Sequence, residues 1–166
     1  MIIIALGSNM SGAYGSPVAA LNKALRLLES HGVHLVRCSQ WYRSRAQGLP
    51  QADFFNGVVV VTSALAPEAL LLRLSSIERQ FGYRSVSGGP RVLDLDLVDY
   101  HRQIKGYGRW GRWGIPRESV RVLSLPHPEM HRRAFVLQPL MDIAPEWRHP
   151  VSGLSPEDLL AGLFPR

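Results

Sequence analysis

Between Gly89 and Leu97 the chain alternates with a period of two: Leu93, Leu95 and Leu97 fall on one face of an extended strand, and Asp94 and Asp96 on the other. This pattern predicts a strand over 91–100 with an apolar side turned into a core. At the rise of a β-strand the two aspartates sit about 6.6 Å apart between Cα atoms. Two carboxylates side by side repel, and a hard divalent cation with oxygen ligands relieves the repulsion. Mg²⁺ carrying a nucleotide's phosphates is a common use of such a pair. Arg91 stands ahead of it, with a planar fork of donors suited to phosphate oxygens. The alternative at this point is an exposed strand with an acidic polar face.

The remaining punctuation predicts the order of elements. Residues 2–6 read as a buried strand closed by Gly7-Ser8-Asn9, and Ser16-Pro17 as a helix start. Val18, Leu21, Leu25 and Leu28 recur at helical spacing up to Gly32. Residues 33–43 and 54–63 read as two strands of an antiparallel hairpin with a long loop. Pro67-Glu68 opens a second helix that Gly82 closes. Strand 91–100 completes a β-α-β-β-α-β order, the split unit of ferredoxin-like folds. The expected class is therefore α+β, an antiparallel sheet with helices packed on one face. Beyond it are expected a short strand near 121–125, a helix from about 129 to 142, and a last helix starting at Ser155-Pro156. Residues 101–119 hold Gly106, Gly108, Gly111 and Gly114 with Arg109, Trp110, Arg112 and Trp113, and read as a flexible insertion in a single domain spanning 1–166.

Composition narrows the function. A net charge of +6 and a pI near 10.1 favour anionic partners. Cys38 is the single cysteine, so no intramolecular disulfide and no cysteine-based zinc site are expected, which fits a reducing cytoplasm. The Met1-Ile2-Ile3-Ile4 start reads as a strand rather than a leader, and no apolar run reaches the length of a membrane span.

Taken together, Ala5-Leu6-Gly7-Ser8-Asn9, Asp53-Phe54-Phe55-Asn56, Gly89-Pro90-Arg91-Val92-Leu93-Asp94-Leu95-Asp96-Leu97, Leu125-Pro126-His127-Pro128-Glu129-Met130 and Arg133-Ala134-Phe135 resemble one known family. It is the hydroxymethyl-dihydropterin pyrophosphokinase family of folate biosynthesis, which moves pyrophosphate from ATP to a pterin alcohol. The resemblance runs from Met1 to about Pro150 with one insertion. It implies that Asp94 and Asp96 are magnesium ligands and that Arg91 acts with them in catalysis. It implies that Glu78, Arg84, Arg91, Ser124, His127 and Arg133 belong to the ATP site, and that Ser44, Phe54, Asn56 and Phe135 form the pterin pocket. The implied cofactor is Mg²⁺ with ATP as co-substrate, and the implied working unit is a cytoplasmic monomer without nucleic-acid or membrane partners.

The chemistry of the residues agrees with that expectation. Phosphoryl-type transfer needs positioning and charge stabilisation more than covalent work by the protein. Planar rings with one amide suit a flat heteroaromatic. This chain also departs from the family pattern: the stretch Tyr83–Gly89 has one arginine and no tryptophan, and Ser44-Arg45-Ala46-Gln47-Gly48 replaces a proline-containing sequence. Trp110 or Trp113 is expected to supply the missing nucleotide stacking. Two other functions remain open at this point. One is a catalytically weakened relative that binds nucleotide or pterin without turnover. The other is a nucleic-acid-binding ferredoxin-like module.

Overall fold

The structure, a computed structural model, describes residues 1–46, 50–82, 89–107 and 122–164. Its elements are β1 (Ile2–Ser8), α1 (Pro17–Ser30), β2 (Val33–Cys38), β3 (Tyr42–Ser44), β4 (Phe54–Ser63), α2 (Pro67–Gln80) and β5 (Asp94–Tyr100). A 3-10 turn (Met130–Arg132), α3 (Ala134–Ile143) and α4 (Pro156–Leu163) follow. The five strands form one antiparallel sheet in the order β2-β4-β1-β5, with β3 also pairing β4. This is the α+β arrangement that the β-α-β-β-α-β order predicts.

Local chemistry sets the helix ends. The Ser16 side chain accepts from the Ala19 amide and Pro17 occupies the first turn of α1. Gly32, at φ +74°, turns the chain out of α1 into β2. Ser155 and Asp158 cap α4 reciprocally.

The helices of the β-α-β-β-α-β unit, α1 and α2, share one face of the sheet as expected, and α3 and α4 cover the other. Every residue of β1 is buried. Ile2, Ile4 and Leu6 join Leu21, Leu28, Leu70 and Leu74 of α1 and α2 in one core. Ile3 and Ala5 join Val136, Leu137 and Leu140 of α3 and Leu159 of α4 in a second. A strand buried on both sides reads as a continuous apolar run, and Ile2-Ile3-Ile4-Ala5-Leu6 is one. The second core supplies the wall against which the polar side of β5 faces.

Four boundaries differ from the sequence pattern. The strand expected over 33–43 breaks at 39–41, where Trp41 packs on Gly57 so closely that a Cβ there would lie 2.6 Å from its ring. The Ser39 hydroxyl fills the break by accepting from the Val58 amide at 3.0 Å. The helix expected from 129 is divided by Arg133, whose φ −114° and ψ 95° are extended. The strand expected over 91–100 begins at Asp94, because the backbone of Arg91 is bonded to Asn9 instead. Of the strand expected near 121–125, residues 122–124 are not extended in a sheet, and Leu125 alone bridges Lys105 and Gly106. Lys105 and Leu125 exchange backbone hydrogen bonds of 3.0 and 2.8 Å, which anchors the start of the 101–119 segment. Trp110 and Trp113 lie outside the described residues.

A third aspartate of β5 is not where alternation puts it. Register shifts between Ile3 and Ile4, so that Val98 is an extra residue between Leu97 and Asp99. Such a bulge resets the side-chain phase. Asp99 therefore leaves the leucine face and meets α3's side, fully buried, where Trp147 Nε1 donates to it at 2.7 Å and the Arg102 amide at 3.0 Å. Burial raises its carboxyl above the usual range, opposed by those two donors.

His149, also buried, accepts from the amides of Val151 and Ser152 at Nδ1 (3.3 and 3.1 Å). Its proton is thus on Nε2, which has no partner among the described residues. Burial first and the nearby His131 second depress its pKa. The folded state then binds a proton less readily than the unfolded chain, so stability is full above the ordinary imidazole value and falls as pH drops through the depressed one. We expect His149→Asn, which keeps an acceptor for the two amides, to flatten the loss of denaturation midpoint between about pH 7 and 5. Urea titrations across that range check it, and an unchanged slope would assign the loss to His127.

Candidate active site

One end of the sheet opens into a cavity of about 190 Å³. Ala5, Leu6 and Gly7 of β1 form its floor, Ser44 and Arg45 come from the end of β3, and Phe54 and Asn56 from the start of β4. Arg91, Asp94 and Asp96 come from the approach to β5 and its first turns, and Arg133, Phe135 and Val136 from the start of α3; Gln51 completes the lining. Sheet register brings these together: Gly7 lies between Asn56 of β4 and Asp94 of β5. Gly7 must be small here, since a Cβ would stand 3.0 Å from Asn56 Oδ1 and 4.0 Å from the Asp94 side chain.

The β5 side is charged. Arg91 Nη1 donates to Asp94 Oδ2 at 2.6 Å, and Arg133 Nη1 to Asp96 Oδ2 at 3.3 Å. Each carboxylate thus faces a guanidinium across the cavity wall. His127 stands behind Asp96, its Nε2 3.8 Å from Oδ2 while its Nδ1 accepts from the Glu129 amide at 3.2 Å. Burial lowers the imidazole pKa, with the attraction of Asp96 opposing it and the Arg133 charge adding to it. The lowered pKa favours the neutral ring near pH 7. Glu78 of α2 accepts from the Leu95 amide at 2.7 Å, fixing the backbone between the two aspartates.

The β4 side is apolar and planar. Phe54 and Phe135 flank the cavity, and the Arg133 guanidinium lies 5.7 Å from the centre of the Phe135 ring. Asn56 is buried, its Nδ2 donating to Ser44 Oγ at 2.8 Å.

Of the residues singled out in the sequence, Ser44, Phe54, Asn56, Arg91, Asp94, Asp96, Arg133 and Phe135 border the cavity. His127 reaches it through Asp96, and Glu78 lies behind β5. Ser124 is off the lining with its hydroxyl buried and without a partner among the described residues. Arg84 lies outside the described residues. Asn9, Arg45 and Gln51 were not singled out. Asn9 is a buried hub: its Nδ2 donates to Gln51 Oε1 and to the Ala52 carbonyl, both at 3.0 Å, and its Oδ1 accepts from the Arg91 amide at 2.9 Å. The signal for Asn9 was its place in Gly7-Ser8-Asn9, an amide at the end of an otherwise apolar strand.

This three-layer α+β protein thus has a cavity with carboxylates and guanidinium groups at one side and two rings and an amide at the other, chemistry suited to an anionic group beside a flat ring. The sequence profile of the 7,8-dihydro-6-hydroxymethylpterin-pyrophosphokinase family matches residues 3–145, and the chain belongs to that family. It is 42% identical over 91% of its length to the 2-amino-4-hydroxy-6-hydroxymethyldihydropteridine pyrophosphokinase of Synechocystis, spanning 70% of that protein. It is 38% identical over 98% of its length to the Pseudomonas aeruginosa enzyme of the same name, spanning 92% of it. It matches 19% of the length of the folic acid synthesis protein of Pneumocystis carinii, at 36% identity over 93% of this chain. The fold matches a Plasmodium falciparum HPPK-DHPS crystal structure with a TM-score of 0.71 at 15% identity, covering 97% of this chain and 42% of that one. The chain is thus a pyrophosphokinase of folate synthesis in its family, and no helix among the described residues is long and apolar enough to cross a membrane.

Proposed function

We propose that the chain transfers pyrophosphate from ATP, with Mg²⁺, to the hydroxymethyl group of a 7,8-dihydropterin, and that the cavity described above is where both substrates meet. The observation that carries this reading is the division of one cavity into a carboxylate–arginine side and a ring–amide side. The donor set fits magnesium: Asp94 and Asp96 are hard oxygen donors on one strand face, and two carboxylates leave positions for phosphate oxygens, the usual way this ion is held. Held by Asp94 and Asp96, the ion would supply positive charge to offset that of the nucleotide's phosphates.

The chain's own residues position and neutralise. Arg91 and Arg133 are held on the carboxylates and lie next to where phosphate oxygens would bind, so each can exchange one anionic partner for another. His127, whose Nδ1 accepts from the Glu129 amide, would donate from Nε2 to a phosphate oxygen beside Asp96. Phe54 and Phe135 sandwich the heterocycle, Asn56 bonds its edge, and Ser44 fixes the Asn56 amide. The acceptor's hydroxyl oxygen forms a bond to the β-phosphorus as the bond from that phosphorus to the α–β bridging oxygen breaks, releasing AMP. No serine or cysteine nucleophile takes part. The single cysteine, exposed Cys38, suits a reducing, cytoplasmic location.

Incubation with ATP, Mg²⁺ and 6-hydroxymethyl-7,8-dihydropterin tests the reading. AMP and pterin diphosphate are expected in equal amounts, with none when Mg²⁺ is chelated. Binding of both ligands with no AMP would make the chain a binding protein instead.

A further inference from the structure

Among the described arginines that border or adjoin the cavity, Arg45 has no carboxylate partner. Arg91 is paired with Asp94, Arg133 with Asp96, and Arg43 with Asp53 at 3.0 Å. Arg45 borders the cavity and makes no hydrogen bond or ion pair with any described residue. Its place in the sheet is specific. Ser44, the residue before it, pairs with Phe54 across β3 and β4, and β3 borders β4 on the side away from β1. β3 and β5 are therefore three strand intervals apart, about 14 Å. Arg45 and the aspartate pair flank the cavity from opposite sides, with Asn56 between them.

Arg45 and Asn56, two of the polar groups on the β3–β4 side, are complementary to a particular ligand edge. Asn56 Nδ2 donates one of its two hydrogens to Ser44, and its acceptor Oδ1 receives no hydrogen bond from any described residue. A guanidinium offers donors only. An acceptor beside donors matches a ligand edge that carries an N–H beside a C=O, that is, a lactam. We propose that Arg45 is a specificity-determining residue of this cavity, donating to the carbonyl of the heterocycle's lactam edge while Asn56 accepts from its N–H. It selects a lactam-bearing heteroaromatic over the counterpart with an amine in place of the carbonyl, because the amine turns donors toward donors and leaves the guanidinium without an acceptor. This rests on the heterocycle binding between Phe54 and Phe135, as proposed above.

The test is equilibrium titration of the full chain, with Mg²⁺ and a non-hydrolysable ATP analogue, by 6-hydroxymethylpterin and by 2,4-diamino-6-hydroxymethylpteridine. The wild-type protein is expected to bind the lactam form at least about tenfold more tightly than the diamino form. Arg45→Ala is expected to weaken the lactam form by about tenfold and bring the two within about threefold, with nucleotide-analogue affinity unchanged. Arg45→Lys should retain part of the preference, since an ammonium donates without the planar fork. Arg45 is exposed and unbonded to the described residues, so the alanine variant is expected to keep the wild-type melting temperature. A wild-type ratio in folded Arg45→Ala overturns the role of Arg45 alone. A wild-type protein that binds neither pteridine overturns the reading of the ring–amide side, and the inference with it.

Discussion

Asp96→Ala is expected to lower pyrophosphate transfer by about a thousandfold while leaving the melting temperature within a few degrees of wild type. The size follows from what the residue is proposed to supply: a metal ligand and the anchor for two cations, Arg133 at 3.3 Å and His127 at 3.8 Å. Loss of one electrostatic stabiliser of a transition state typically costs about 10²–10³ in rate, and loss of a metal ligand removes more than one. Stability is spared because Asp96 is partly exposed and its ion pairs are of the kind worth about 0–1 kcal/mol. Asp94→Ala should match it in activity. It should cost more in stability, because Arg91, only 14% exposed, would lose its 2.6 Å partner. Initial rates at saturating Mg²⁺ and ATP, with thermal melts of each variant, decide the matter. Turnover within tenfold of wild type in both would remove the aspartates from the metal site.

Asn9→Ala is expected to damage both stability and turnover, by about 2–3 kcal/mol and about a hundredfold. The side chain is buried and makes three hydrogen bonds joining three segments: the end of β1, the 51–52 loop and the approach to β5 at Arg91. Alanine would leave the Arg91 amide and the Ala52 carbonyl to find new partners, and leaving buried backbone groups unmade is costly. The catalytic loss follows because one of the two bonds that hold the Arg91 backbone comes from the Asn9 side chain; the other, from the Asn9 backbone N–H to the Arg91 carbonyl at 3.1 Å, remains in the variant. Asn9→Asp separates the two functions. It keeps the acceptor for the Arg91 amide but not the donors to Gln51 and Ala52, so it should retain more activity than alanine while still weakening the fold. Equal activity in the two variants would show that Asn9 does not act through Arg91. Denaturant titration and kcat against KM for each substrate supply both readouts.

The acidic pair was legible in the sequence because a strand's period of two leaves no freedom once one face is apolar. Leu93, Leu95 and Leu97 enter the core with α1 and α2, and Asp94 and Asp96 border the cavity. The same rule misplaces Asp99, since the extra Val98 is visible only once β5 is laid against β1 and the register shift is seen. Arg133 falls inside the helix expected from about 129 to 142. It becomes part of the cavity because its backbone is extended between the 3-10 turn and α3, which aims the side chain at Asp96. The single-face packing expected of α1 and α2 holds, but the face that α3 and α4 take was not legible, for a related reason. Periodicity shows that a helix has an apolar side, but not which face of a sheet that side will meet.

The order of strands and helices, their caps and the face chosen by each residue of β5 follow from local rules, because they depend on neighbours a few positions apart. The cavity does not. Gly7, Ser44, Asn56, Asp94 and Phe135 are spread over the chain, and only antiparallel registry and the packing of α3 on the second face bring them to one end of the sheet. Pairing across long separations is chosen by the total burial of two cores, a quantity that no local stretch of sequence carries.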